Sequence, residues 1–426
     1  MARNVWVFGA EAHFSLFLAH FRRYFYVMAY DISDLCQKYA GLSRLWEIFP
    51  EARLVGGAVR DPLLGLFPQD IDMAVPFPPE EIIARLKRAS QRFIPTGIAH
   101  GTVSALIKGA CYELTALRQD VETDGRHAKV AWTADWKIDA ERRDFTINAM
   151  SLDKEGNLYD YFGGEADLKA GLVRFVGDAS SRISEDYLRI LRYFRFSARF
   201  GRNPPSKEIL EIISQNLSGF KHLAKERLRD EFSRFLLGPK IIETLQAMEK
   251  SGVLASLLPY YDLTALEKGL EIDLPKDFIL RLSLLCAEKE ALVQSFALSN
   301  KEKKRLSFFQ SFEQEFQLAP DQATLLKYLD QYKREDLIAY SYRAQVAFAQ
   351  KADLEQQRCE EKDWKHLRHR LTKTPLPEFP LTGKILMAKG ISAGVELGQL
   401  LQKMRLYWLS EAAKPGCEEI LRHFGL

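Results

Sequence analysis

The chain of 426 residues is long enough for two to four domains, each with its own buried core. Apolar residues make up 47% and charged ones 27%, which excludes extended disorder, and 60 basic residues against 57 acidic ones leave a net charge of only +3, so any nucleic-acid surface has to come from local segregation of charge. No run of 18 apolar residues is present, which argues against a membrane-spanning helix, and five scattered cysteines (Cys36, Cys111, Cys286, Cys359, Cys417) without Cys-x-x-Cys spacing read as free thiols of a reducing cytoplasm.

In chain order, the stretch Val5–Tyr30 is aromatic-rich but broken by Glu11, His13, His20, Arg22 and Arg23. Met28 opens a run that reads as a capped helix, so residues 1–27 are expected to be a dispensable extension. From Leu35 to Val176 short β-rich segments alternate with helices. Leu54–Gly57 and Ile71–Val75 are predicted strands, Pro79–Ser90 a helix with Glu80 and Glu81 in its first turn, and Thr102–Ile107 with Cys111–Leu117 a hairpin across Lys108 and Gly109. After Gly177 the apolar period becomes helical: Leu188, Leu191 and Phe194 recur at that spacing, and Leu228–Leu237, Ile241–Met248, Phe278–Ala287 and Val395–Leu409 behave likewise. The pattern predicts an α+β head followed by an all-helical remainder.

Four stretches carry chemistry. Between Leu54 and Asp72 a glycine pair, Gly56 and Gly57, ends an apolar run and lets backbone approach a phosphate, with Arg60 one turn on to meet the same anion. Asp70 and Asp72 flank Ile71; on a strand both carboxylates share one face while Ile71 enters the core, and two hard oxygen ligands suit Mg²⁺ bound to substrate phosphates. Glu113, in the predicted hairpin, is either a third carboxylate beside that pair or a glutamate on the strand surface. Arg142 and Arg143, followed by Asp144, Thr146 and Asn148, can neutralise a triphosphate and hydrogen-bond a ribose. In Ser184–Arg195, Asp186 and Arg189 stand i,i+3 if the stretch is helical, an acceptor beside a donor fork, and Arg192 and Arg195 continue the cationic strip. Such a pair accepts the Watson–Crick edges of C and A, which offer an amine beside an acceptor nitrogen, and leaves unpaired groups against U and G. The alternative is an ordinary intrahelical ion pair.

These blocks, in this order, resemble the metal-binding signature of polymerase-β-type nucleotidyltransferases. In their longer form, Leu54–Asp61 followed by Asp70–Asp72, they resemble the class II tRNA nucleotidyltransferase (CCA-adding) and bacterial poly(A) polymerase group. Gly97–Thr102 with Glu113, Thr115 and Arg118, the block Arg142–Met150, the turn Gly163–Leu168, the templating-type stretch Glu185–Arg189, and Lys225–Phe232 match its successive motifs; Ala116 stands where a threonine is common. The resemblance implies a head with a mixed or antiparallel sheet over residues 28–176, a helical neck over 177–250, and a helical body and tail over 251–426 that binds tRNA. It implies Asp70, Asp72 and Glu113 as catalytic residues, with Mg²⁺ on Asp70 and Asp72. For the nucleotide, CTP or ATP, it implies Gly57, Arg60, Arg143 and then Arg142, with Asp144 and Asn148 toward the ribose and Asp186, Arg189, Arg192 and Arg195 toward the base. His100 is expected to be structural, since metal-assisted attack by a hydroxyl needs no histidine. The implied activity is addition of C, C and A to tRNA, or else partial addition or poly(A) synthesis. The segment Asp120–Ala134 looks like the mobile loop of complete enzymes, and the basic run Lys362–Lys373 around Trp364 is either a phosphate-contact patch or a solvated helix face.

Overall fold

The computed structural model describes residues 30–98, 101–123, 128–352 and 354–426. The extension 1–27, His100 and the centre of the Asp120–Ala134 segment lie outside the described residues. The backbone packs as two units, one ending at Leu223 and the other running Ala224–Leu426. The division falls inside the stretch 177–250. Among the described residues no helix is long and apolar enough to cross a membrane.

The first unit opens with two short helices, α1 (Ser33–Lys38) and α2 (Leu42–Ile48), and then builds a sheet. Its strands are β1 (Arg53–Val55), β2 (Asp72–Val75), β3 (Phe93–Gly97), β4 (Thr102–Ile107), β5 (Ala110–Ala116), β8 (Ser151–Leu152) and β9 (Leu158–Tyr159), in the order β3-β4-β5-β2-β1-β8-β9. β2 runs parallel to β5 and every other pairing is antiparallel, so the sheet is mixed. The β4–β5 hairpin turns on Lys108 and Gly109 with φ of 51° and 81°, the two left-handed positions that a two-residue hairpin of matching twist requires. β2 sits at the centre with Met73, Ala74 and Val75 buried, which is why its sequence is apolar after Asp72.

Of the predicted boundaries that move, two bear on the site. The first strand ends at Val55, and Gly57 opens helix α3 (Gly57–Leu63) instead of closing the strand. β2 starts at Asp72, so Asp70 lies in the bend that precedes it, although Ile71 is buried as expected. Helix α4 covers Pro79–Arg88, its proline in the first turn and Glu81 paired to Arg85 at 2.9 Å. A second, two-stranded sheet, β6 (Arg118–Thr123) and β7 (Ala128–Trp132), occupies the segment expected to be a loop. Helices α5 (Trp136–Glu141), α6 (Gly164–Ala170), α7 (Ala179–Glu185), α8 (Leu188–Phe200) and α9 (Lys207–Gln215) complete the unit. Phe145, Phe175, Tyr193 and Phe196 form the aromatic core between the sheet-side block and α8, with ring centroids 5.0 to 6.2 Å apart.

The second unit is helical throughout its described residues, from α10 (Lys225–Leu236) to the last helix, Cys417–His423. The predicted segments 241–248 and 395–409 lie wholly on helices, while 228–237 and 278–287 overrun theirs, which end at Leu236 and Leu285. Phe308, Phe312, Phe316, Tyr328 and Tyr340 stack into one aromatic core, joined by Trp364, which lies nearly parallel to Phe316 at 5.9 Å. Trp364 is therefore a core residue of the basic run, not a platform on its surface. Arg368 is turned inward to Gln345, and Lys365 pairs with Glu361.

Candidate active site

The parallel register of β2 and β5 sets Asp72 directly opposite Glu113, so two carboxylates stand side by side on neighbouring strands. Asp70 lies within electrostatic reach of Asp72. Burial, then Glu113, then Asp70 push the Asp72 carboxyl up to about 6, against the opposing pull of Arg143. The three acids make this part of the sheet locally anionic. Among the described residues no three His, Cys, Asp or Glu side chains converge tightly enough to enclose a metal by themselves. The donor set is open, and that fits a hard divalent ion whose shell is completed by substrate oxygens.

Gly56 links β1 to α3 with φ +60° and ψ −123°, a conformation that a side chain disfavours. A Cβ there would meet Arg143 Nη1 at an ordinary 3.5 Å, so the constraint lies in the backbone and not in crowding. Gly56→Ala is accordingly expected to cost about 1–3 kcal/mol in thermal or chemical denaturation. An unchanged melting midpoint would remove glycine's claim on this turn.

The arginine pair is held from behind. Asp139, buried on α5, accepts Arg142 Nε and Nη2 at 2.9 and 2.7 Å through one oxygen and Arg143 Nη2 at 3.2 Å through the other, while Arg143 Nη1 donates to the Asn148 carbonyl. Burial alone would raise the Asp139 carboxyl, but Arg143 and Arg142 outweigh it and hold it below the usual value. Its contribution to stability is thus full above the ordinary carboxylate range and is lost as pH falls through the lower folded value. Asp139→Asn is expected to cost about 2 kcal/mol of stability, because two half-buried cations lose their shared counter-ion. A melting curve beside that of the unmodified protein checks this.

Arg60 lies in the cleft lining beside Gly56 and Gly57, and its guanidinium is engaged by protein partners. It is buried, donates through Nε and Nη2 to Asp61 at 2.9 and 2.7 Å and through Nη1 to Asn148 Oδ1 at 2.6 Å, and its guanidinium lies 4.3 Å from the Phe200 ring centre. It lines the cleft as a brace between elements. Asn148 in turn donates to Asp144 Oδ1 at 3.0 Å, and Asp144 Oδ2 accepts Arg192 Nε at 2.7 Å. Asp144 and Asn148 therefore meet a ribose only by sharing these bonds. Burial would raise Asp144, and Arg192 with the hydrogen bonds around it holds it low.

The stretch Ser184–Arg195 is not one helix. α7 ends at Glu185, Asp186 is extended with φ −156° and ψ 103°, and α8 begins at Leu188, whose amide donates to Asp186 Oδ1 at 3.2 Å. Asp186 and Arg189 are thus joined across a helix break and first turn, with the Arg189 amide donating to the Asp186 carbonyl at 2.9 Å, rather than across a continuous helical face. Arg189 Nη1 donates to Glu185 Oε2 at 2.5 Å and to the Arg182 carbonyl at 2.6 Å. Arg182 itself donates to the carbonyls of Glu141 and Arg143, tying the break to the arginine block. Arg195 stands over Phe196 at 4.5 Å.

One cleft of about 380 Å³ gathers these parts. It is lined by Gly56, Gly57, Arg60, Asp72, Arg142, Arg143, Asp144, Asn148, Asp186, Arg189, Arg192 and Phe196. Of the expected site residues Asp70, Glu113 and Arg195 are outside the lining. Five guanidinium groups and three carboxylates line it, and Asp61, Asp139 and Glu185 behind the lining pair with four of those guanidiniums while Asp144 holds the fifth. Sequence reasoning missed Asp61, Asp139, Arg182, Glu185 and Arg199, though three carried a signal: Asp139 lies three and four residues before the arginine pair, and Glu185 lies three after Arg182 and four before Arg189.

Comparison with known proteins accords with this geometry. Residues 52–174 match the Poly A polymerase head domain, and residues 205–263 match the family described as the probable RNA and SrmB-binding site of polymerase A. The chain is 35% identical to the mouse mitochondrial CCA tRNA nucleotidyltransferase 1, with 94% of each covered. It is 39% identical over 209 residues to the CCA-adding enzyme of Leuconostoc mesenteroides, covering 48% of this chain and 50% of that one. Its fold is similar to that of the Bacillus stearothermophilus CCA-adding enzyme solved in complex with CTP, with a TM-score of 0.68 at 23% identity over 90% of this chain and 96% of that one. Full-length identity of this order shows that the chain belongs to the CCA tRNA nucleotidyltransferase family.

Proposed function

We infer that this chain adds C, C and A to the 3′ end of tRNA from CTP and ATP, releasing pyrophosphate. The observation that carries the reading is the single cleft in which Asp72, the Arg142–Arg143 pair and the Asp186–Arg192 stretch meet, in a chain matched along almost its whole length by a CCA tRNA nucleotidyltransferase. The chemistry is displacement at phosphorus: the tRNA 3′-hydroxyl attacks the α-phosphate, the bond to pyrophosphate breaks, and each cycle lengthens the RNA by one nucleotide. Asp70 and Asp72, with Glu113 alongside, would hold a divalent cation, taken as Mg²⁺, which supplies charge neutralisation at the transferring phosphate.

The remaining side chains bind and orient. Arg143 and Arg142 face the triphosphate, and Asp139 behind them fixes their direction. Gly57 leaves the backbone open beside the phosphates, and Asp144 with Asn148 lies toward the ribose. Asp186 and Arg189 present an acceptor and a donor to the base edge, and Arg192, anchored by Asp144, holds the same strip in place. In this reading residues 28–176 form the nucleotidyltransferase head, 177–250 the neck, and 251–426 the body and tail that engage tRNA. The thiols of Cys36, Cys111, Cys286 and Cys417 are free, which supports a reducing compartment, and we place the chain in the cytoplasm.

Purified protein with Mg²⁺ and tRNA transcripts lacking one, two or all three terminal nucleotides tests the assignment, with CTP and ATP supplied singly and together. Completion to the full terminus followed by arrest is expected. Open-ended A tails would instead mark a poly(A) polymerase, arrest after only C or only A a partial enzyme, and no extension would overturn the reading.

A further inference from the structure

The contacts around Arg60 close into a circuit that begins and ends on α8. Arg199 Nη2 donates to Asp61 Oδ2 at 3.3 Å, and the other Asp61 oxygen accepts Arg60. Arg60 then reaches Asn148, Asn148 reaches Asp144, and Asp144 accepts Arg192. Arg192 and Arg199 lie seven residues apart, two helical turns, so they emerge from one face of α8. The four intervening groups come from the α3 turn and the Arg142–Met150 block. Between the two ends, Phe196 and Phe200 lie 5.3 and 4.3 Å from the Arg60 guanidinium, and Arg60, Asp61, Asp144 and Asn148 are all buried.

Every link is directional. Asn148 has its oxygen turned to Arg60 and its amine to Asp144, so its orientation is fixed by its neighbours. Asp61 is the junction: it is buried and its two oxygens serve arginines from two different elements, one on α3 and one on α8. Removing its charge takes away the counter-ion that Arg60 and Arg199 share, so the polar tie between α3 and the far end of α8 weakens while the buried aromatic contacts of α8 remain. A shift of α8 moves Arg192 and the first-turn Arg189 together, relative to Asp72 and the arginine pair.

We propose that Asp61 is a positioning residue for base selection, holding α8 in register with the head through Arg60 and Arg199. It touches no substrate. The proposal rests on the nucleotidyltransferase reading of the cleft, and the two fail separately: absence of CTP incorporation by the unmodified chain defeats the reading, whereas the variants below address the circuit alone.

The test compares Asp61→Asn, Asp61→Glu, Arg199→Gln and the double variant Asp61→Asn with Arg199→Gln, using full-length protein and a tRNA transcript that lacks its terminal nucleotides. Asp61→Asn is expected to raise the CTP KM about tenfold with less than about a threefold loss of kcat, and to lower discrimination of CTP over UTP about tenfold. Arg199→Gln, whose side chain is 44% exposed and whose loss leaves the Arg60–Asp61 pair intact, is expected to lower discrimination in the same direction. Because the two residues act through one contact, the double variant should be no worse than Asp61→Asn alone. Asp61→Glu, which keeps the charge, should recover part of the discrimination. Unchanged discrimination in Asp61→Asn with only a lower melting temperature, or strictly additive effects, would overturn the proposal. If Asp61→Asn does not fold, Arg199→Gln decides: normal discrimination there overturns it as well.

Discussion

Asp72→Asn is expected to lower kcat for nucleotide addition by about 10³-fold or more, the scale of the several kcal/mol that a bound metal contributes at a phosphoryl group. The same substitution should leave the metal-free protein no less stable at pH 8. Asp72 is pushed up to about 6 by burial and by the neighbouring Glu113 and Asp70, so the native state retains a proton that the unfolded chain has lost between the ordinary carboxylate value and that pH. Stability from this residue is therefore greatest at low pH and falls as pH rises through about 6. A divalent cation reverses that loss only where the carboxylate is ionised. Melting curves with and without Mg²⁺ should show a larger stabilisation at pH 8 than at pH 5, and none in Asp72→Asn. Equal Mg²⁺ stabilisation of the variant, or full activity without this carboxylate, would place the metal elsewhere.

How much of this was legible in the sequence depends on the range of the contacts. The β4–β5 hairpin rests on two adjacent turn residues, and the position of Glu113 beside Asp72 follows once that hairpin docks against β2. Local patterns also marked the change to helix after Gly177, because apolar residues at helical spacing have to face a core wherever they pack. The partners of Arg60 were not legible. A lone arginine after a glycine pair reads as an anion ligand, whereas its hydrogen bond to Asn148 spans 88 residues and that from Arg192 to Asp144 spans 48. The β6–β7 pair was missed for another reason, since its contacts are local: β6 holds one apolar residue, Val121, among charged and polar ones, so no apolar alternation marks it as a strand. The break at Asp186 was hidden for a different reason. No glycine or proline interrupts Ser184–Arg195, and apolar spacing from Leu188 onward does not reveal where the hydrogen-bond ladder begins.

That break shapes the expected behaviour of Asp186. Its Oδ1 accepts the Leu188 amide at the start of α8, so Asp186→Ala removes both that hydrogen bond, worth about 1 kcal/mol, and the acceptor that the proposed function turns to the base. Asp186→Asn separates the two roles, since the amide oxygen can still receive Leu188 while the remaining group becomes a donor. Facing the exocyclic amine of C or A, a donor leaves an unpaired group; facing the carbonyl of U or G it is satisfied. Asp186→Ala is therefore expected to reduce selection of C and A over U and G about tenfold to a hundredfold, and Asp186→Asn to reduce it at least as much while retaining the stability that the alanine variant loses. In both variants kcat for the correct nucleotide should fall less than selectivity does, because the proposed function assigns phosphate chemistry to Asp72 and the arginine pair. Single-nucleotide incorporation assays with each of the four triphosphates, run beside melting curves, give both readouts. Wild-type base selection in a folded Asp186→Asn protein would show that Asp186 shapes the helix junction and reads no base.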